Sequence, residues 1–112
     1  MFESLFGKIK TKNISPQEAR KRLSTEKNIV LLDVRTFEEY KEVHIPHSIS
    51  LPLNQLKSEI SNIVKDKNSE IIVYCLSGMR ASQACRQMAS MGYANVSNMG
   101  GIQGWKYETE RG

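Results

Sequence analysis

No apolar run in this 112-residue chain approaches the ~20 residues that a membrane-spanning helix needs. Its opening stretch, MFESLFGKIK, lacks the continuous apolar centre of a signal peptide and carries an acidic residue, Glu3. A cytoplasmic protein is therefore expected, in a compartment where thiols stay reduced. Cysteine is scarce: there are two, and no Cys-x2-Cys pair occurs. The two histidines, His44 and His47, are distant in sequence from both cysteines. This excludes a disulfide framework and offers no metal-ligand pattern, so no metal is expected. Internal repeats, low-complexity tracts and long linkers are also missing, which leaves one domain over residues 1–112.

Charge excludes a further class. The net charge is +4, but the basic residues are scattered, and the only local cluster is Arg20-Lys21-Arg22 followed by Leu23. That pattern is the wet side of a helix rather than a nucleic-acid stripe, so no nucleic-acid partner is expected. The mild positive field favours small anions, within a screening length of about 8–10 Å.

What is present is ordinary for a folded domain, with 39% hydrophobic and 25% charged residues. Phe2, Leu5, Phe6 and Ile9 recur at i, i+3, i+4, i+7, so residues 1–8 are expected to form a peripheral segment docked by one apolar face. The strongly basic polar face of a membrane-surface helix is absent. Ser15-Pro16-Gln17-Glu18 starts a helix, with Ser as N-cap, Pro at N1 and Glu at N3 of a capping box. Ile29–Val34 is an apolar run suited to a strand covered on both faces. Thr36-x-x-Glu39 is a second capping box, opening a short helix through Tyr40.

His44–Pro52 is too rich in proline for a helix and predicts an extended segment with a short strand near 49–51. Leu53, Leu56, Ile60, Ile63 and Val64 predict an amphipathic helix over 54–65, and Glu70–Tyr74 a second buried strand. A helix from residue 79 then places Ala81, Ala84, Cys85, Met88 and Met91 on one face and ends near Gly92. A weak strand over 95–99 and a last short helix over 102–108 containing Trp105 complete the chain. Strands alternating with helices give an α/β fold: a central, mostly parallel sheet flanked by helices on both faces.

The chemistry concentrates in Tyr74-Cys75-Leu76-Ser77-Gly78-Met79-Arg80-Ala81-Ser82. Ligands of open α/β sheets bind beyond the carboxyl ends of strands, and Cys75 is expected there, incompletely buried. Backbone N–H groups of residues 76–81 can converge on its sulfur. The following helix start contributes about half a positive charge, and Arg80 adds a full one if it turns inward. Together these favour the thiolate, the reactive form. Leu76, Ser77, Gly78, Met79 and Arg80 thus form a candidate anion-binding loop around a candidate catalytic Cys75. Cys85 lies on the apolar stripe of its helix and is expected in the core. It rises roughly 9 Å beyond the helix start at ~1.5 Å per residue, too far to bridge to Cys75.

Four segments in order resemble the single-domain rhodaneses, a family of small sulfurtransferases. They are Leu32-Asp33-Val34-Arg35 with Glu39-Tyr40, Val43–Pro52, the Cys75 loop, and Gly100-Gly101 with Trp105. The match covers nearly the whole chain. Val43 and His47 depart from it, each standing where the family has glycine, and His47 is expected to be a solvated loop residue. The resemblance implies a rhodanese-like domain whose Cys75 takes a sulfane sulfur from thiosulfate or a persulfide. The bound sulfur then passes to a cellular thiol or to cyanide, with no metal or organic cofactor. Partners would be small sulfur-containing anions or persulfides, with room for a sulfur-donor or acceptor protein. Asp33 and Arg35 are expected to brace the site rather than react, with Asp33 accepting loop amides or pairing with Arg80, and Arg35 pairing with Glu39 or Glu42.

Two other functions compete. Cysteine phosphatases and arsenate reductases place one residue more between cysteine and arginine, giving a wider cradle for a tetrahedral oxyanion. A non-catalytic binding module is expected to lack the nucleophile or an intact loop, and here Cys75, Gly78 and Arg80 are all present. The apolar Leu76 and Met79 fit a persulfide donor at least as well as thiosulfate, because a dianion gains from extra cations at the rim.

Overall fold

The structure is a computed structural model that describes residues 11–112, so the apolar positions Phe2, Leu5, Phe6 and Ile9 lie outside the described residues. Its elements are β1 (Lys12–Asn13), α1 (Pro16–Thr25), β2 (Val30–Asp33), α2 (Phe37–Glu42), β3 (Ile49–Ser50), α3 (Leu56–Ile63), β4 (Ile71–Cys75), α4 (Met79–Ser90) and β5 (Val96–Gly101). All strand pairs are parallel, in the order β1-β5-β4-β2-β3. No helix of the described residues is long and apolar enough to cross a membrane.

Local chemistry sets the helix starts. The Ser15 hydroxyl accepts the Glu18 N–H at 3.0 Å ahead of Pro16, although Glu18 returns no bond to complete the box. At Thr36 and Glu39 the box is complete, and α2 runs on to Glu42. The expected helix over 54–65 begins instead as a 3-10 turn, Leu53–Gln55, since Pro52 precedes it and no side chain caps the next turn. The basic cluster on α1 meets acidic partners: Arg20 pairs with Glu108 and Arg22 with Glu70.

β4 is the central strand and all five of its residues are buried. Alternate side chains therefore enter two cores. Ile71, Val73 and Cys75 pack with α3 and α4, while Ile72 and Tyr74 pack with Ala19 of α1, Leu31, Ile45 and Met99. Each buried Ile, Val, Leu or Met among them contributes about 1.5–3 kcal/mol relative to exposure. The expected helix over 102–108 is absent. A 3-10 turn, Ile102–Gly104, stands in its place, because Gly104 is a poor helix former and Trp105 turns away to pack on the α1-side core.

Chain order reverses between β2 and β4: β2 leads outward to β3, β4 to β5 on the other side. The crevice beyond the carboxyl ends of these two strands is where such sheets bind ligands. Of the two positions that depart from the family's glycines, Val43 is extended (φ −163°) and suits any residue. His47 has φ +71° and is exposed. A left-handed non-glycine residue costs about 1–2 kcal/mol, partly offset by the larger entropy that glycine loses on folding. His47→Gly is therefore expected to stabilise the protein by about 0.5–1 kcal/mol. Thermal melting checks this, and an unchanged or lower midpoint would refute it.

Candidate active site

Cys75 is the last residue of β4, and the chain turns over it into α4. Gly78 makes the turn possible: it caps α4 with φ +114°, a conformation that side-chain-bearing residues rarely adopt, and it lies against the Gly100 backbone. The turn aims two backbone N–H groups at the sulfur, from Gly78 at 3.0 Å and from Ala81 at 3.3 Å. The start of the 12-residue α4 adds its partial positive charge on the same side. Contrary to expectation, Cys75 is not half open but 1% exposed, because the loop folds down over it.

The loop rests on β5. Between Val73 and Tyr74 the register slips, so that Asn98 faces Val73 but Gly100 faces Tyr74, and Met99 is the extra, bulged residue. Asn98 holds this bulge: its Oδ1 accepts the Gly100 N–H at 2.7 Å, and its Nδ2 donates to the Gly78 carbonyl at 3.4 Å. Gly101 then lies directly beneath Leu76 and Ser77. The sequence reading missed Asn98 as a support, and a lone asparagine in a weak strand carries no signal by which to find it.

The bracing charges are present with different partners. Asp33 accepts no loop amide and does not meet Arg80. It accepts the Arg35 backbone N–H at 2.9 Å and the Arg35 guanidinium at 2.7–3.1 Å. Arg35 does not reach Glu39 or Glu42, and donates instead to the Val43 carbonyl at 2.6 Å. The i, i+2 separation puts both side chains on one face of the extended backbone, within reach of each other. Both residues are buried, at 0% and 3% exposure. Burial opposes the Arg35 charge, but the bonds and charge of Asp33 outweigh it and its pKa is raised.

Arg80 does not turn onto the sulfur. It points across the crevice to Glu39 of α2, in a two-pronged pair at 2.8 and 3.1 Å. Arg80 holds the Glu39 carboxyl down at about 2, chiefly through these bonds. A cleft of about 360 Å³ beside the pair is lined by Arg35, Thr36, Leu53, Asn54, Arg80 and Gln87. Leu76 and Met79 of the loop are exposed, as is Phe37 at the start of α2. On the other side of β4, the Tyr74 hydroxyl accepts the Ile45 N–H at 3.1 Å and bonds Ser48 Oγ at 2.9 Å, pinning the His-Ile-Pro segment to the residue before Cys75. Burial, then the Asp33 charge, push the Tyr74 phenol up, so it stays protonated. Cys85 lies in the core as expected, and burial pushes its thiol up to about 12. His47 is away from the loop, lining two clefts with Leu23 and Pro46. Among the described residues no cluster of three His, Cys, Asp or Glu could hold a metal.

The Asp33–Arg35 pair is the frame of the crevice. Asp33→Asn leaves a buried guanidinium without its counter-charge and is expected to destabilise the fold by about 3 kcal/mol. Replacing both members by apolar residues of similar volume should recover much of that loss. Denaturant melts of the single and double variants check this, and a single variant within 1 kcal/mol of the parent would contradict it.

A parallel α/β sheet with a cysteine cradled by amides at its switch point defines a class of thiol-centred sites. The family model for the Rhodanese-like domain matches residues 15–108. The chain is 39% identical over 72 residues to thiosulfate sulfurtransferase PspE of Escherichia coli, covering 64% of this chain and 69% of that protein. It is 34% identical over 93 residues to a sulfurtransferase of Allochromatium vinosum, covering 82% and 85%. Among solved structures, a rhodanese with anions from E. coli superposes with a TM-score of 0.71 at 34% identity, covering 75% of this chain and 99% of that one. The chain belongs to the rhodanese-like domain family.

Proposed function

We propose that this protein is a sulfurtransferase that carries sulfane sulfur on Cys75. The observation that carries the reading is the cradle: two N–H groups and a helix start converge on the one thiol of the loop. The names of its relatives point the same way.

In the first step the Cys75 thiolate attacks the outer sulfur of the donor. A new S–S bond forms, the donor's own S–S bond breaks, and its electron pair leaves with sulfite when the donor is thiosulfate. The charge stays balanced: thiolate and dianion become an anionic persulfide and sulfite. The same amides that donate to the Cys75 sulfur would donate to the persulfide, so the intermediate is held as well as formed. Its outer sulfur stands about 2 Å further from the β4 backbone, which brings it toward the rim of the loop. An acceptor thiol then takes that sulfur as its own persulfide and returns Cys75 to the thiolate. Cyanide does the same to give thiocyanate. The exposed Leu76 and Met79 fit an organic or protein-bound persulfide as donor.

Intact mass of the reduced protein after incubation with thiosulfate tests this. The expected gain is one sulfur, about 32 Da, discharged by cyanide as covalent catalysis requires. No gain with thiosulfate or with an organic persulfide would sink the sulfurtransferase reading and favour a binding module.

A further inference from the structure

The Cys75 loop contains a single cation, Arg80, and Glu39 occupies it. Arg80 follows Cys75 by five positions in the same loop, and it lines the 360 Å³ cleft beside it. The other nearby cation, Arg35, is spent on Asp33 and the Val43 carbonyl. Among the described residues, the four charges paired at the crevice, Asp33, Arg35, Glu39 and Arg80, therefore sum to zero. Backbone dipoles suffice for one negative charge on sulfur, but no unpaired cation in this group remains for a second charge on the donor.

We propose that Glu39 sets the donor class of this site: by engaging the Arg80 guanidinium it disfavours dianionic sulfane-sulfur donors and leaves the cradle to donors of single charge. Glu39 is a positioning residue, acting through Arg80 without touching the donor. It is well placed to hold that role, because the Thr36 N–H and hydroxyl fix the same carboxylate at 2.9 and 3.1 Å. Its depressed pKa keeps the pair charged throughout the neutral range. The biological meaning rests on the sulfur-transfer reading, but the effect on anion binding can be measured without it.

Thiosulfate and methanethiosulfonate form a matched pair of probes. They differ by a methyl group in place of one oxyanion, so the first is a dianion and the second a monoanion. Each would yield its outer sulfur to Cys75, leaving as sulfite or methanesulfinate with the electron pair of the broken bond. Binding is measured first in full-length protein carrying Cys75→Ser, in which no transfer intervenes. Adding Glu39→Gln keeps an acceptor for the Thr36 N–H and frees Arg80. Thiosulfate is expected to bind roughly fivefold tighter, with a steeper salt dependence, and methanethiosulfonate less than twofold tighter. Further replacement of Arg80 by Met should abolish the gain, and Glu42→Gln on the same helix should produce none. With Cys75 restored, the same selectivity is expected in the KM for thiosulfate rather than in kcat.

Equal changes for both probes, no change for either, or a gain that survives loss of Arg80 would overturn the proposal. Sulfur uptake failing in the parent protein, while Glu39→Gln still tightens thiosulfate selectively, would count against the sulfur-transfer reading alone.

Discussion

In the Cys75→Ser variant, sulfur transfer is expected to fall by about ten-thousand-fold or more, the usual scale when a covalent nucleophile is removed. The loss should be chemical rather than structural. A serine hydroxyl fits the same cradle and can accept the Gly78 and Ala81 N–H groups, but it does not ionise near neutrality and forms no stable bond to a sulfane sulfur. The melting midpoint should stay close to that of the parent while the 32 Da gain disappears. Cys85→Ser is the complementary control. Its thiol is buried among apolar side chains, so a hydroxyl there costs about 1–3 kcal/mol, yet sulfur uptake should persist. Mass spectra and thiocyanate release on the two variants check both halves. Uptake that survives in Cys75→Ser, or vanishes only in Cys85→Ser, would move the site to the other thiol.

Gly101→Ala is expected to have the largest effect on stability, about 4 kcal/mol or more, reaching the range kept for severe core lesions. A Cβ on Gly101 would lie 1.9 Å from the Leu76 carbonyl oxygen, 2.4 Å from its carbon and 2.6 Å from the Ser77 Cα. All three are backbone atoms, so no side chain can swing away. Either β5 leaves β4 or the loop lifts off its seat, and the second outcome carries the Gly78 N–H away from the sulfur. Thermal melting together with the rate of sulfur uptake reads both. A variant that melts within a few degrees of the parent and loads sulfur at the parent rate would show that the loop does not depend on this contact.

The parts legible in the sequence are those that local chemistry decides. Ser15-Pro16 and Thr36-x-x-Glu39 begin helices by satisfying their own N–H groups, and the apolar run into Cys75 is a central strand because all its side chains are apolar or aromatic. The cysteine at a strand end before a glycine turn was legible for the same reason. Partner choice was not. Four charges gather at the ends of β2 and β4, and composition cannot say which carboxylate meets which guanidinium. That depends on α2 bringing Glu39 to Arg80 across 41 positions of sequence. The burial of Cys75, the bulge at Met99 and the roles of Asn98 and Gly101 all arise from β5 lying beside β4, a pairing that no local pattern encodes. The segment containing Trp105 misled in the opposite way: a short helix is expected over 102–108, but Gly104 and the pull of the α1-side core end the turn after three residues.

The order of strands also has a consequence for how the protein is made. β5, the last strand of the described residues, is inserted between β1, the first of them, and β4. Gly101 follows Cys75 by 26 positions, so a ribosome at ~5–20 residues per second needs about 1–5 s more to reach it. During that interval the nascent chain already displays its thiol but has no floor on which to seat the loop. The seat of the loop is thus made later than the loop itself, and a chain cut short before β5 would carry Cys75 without the strand on which its loop rests.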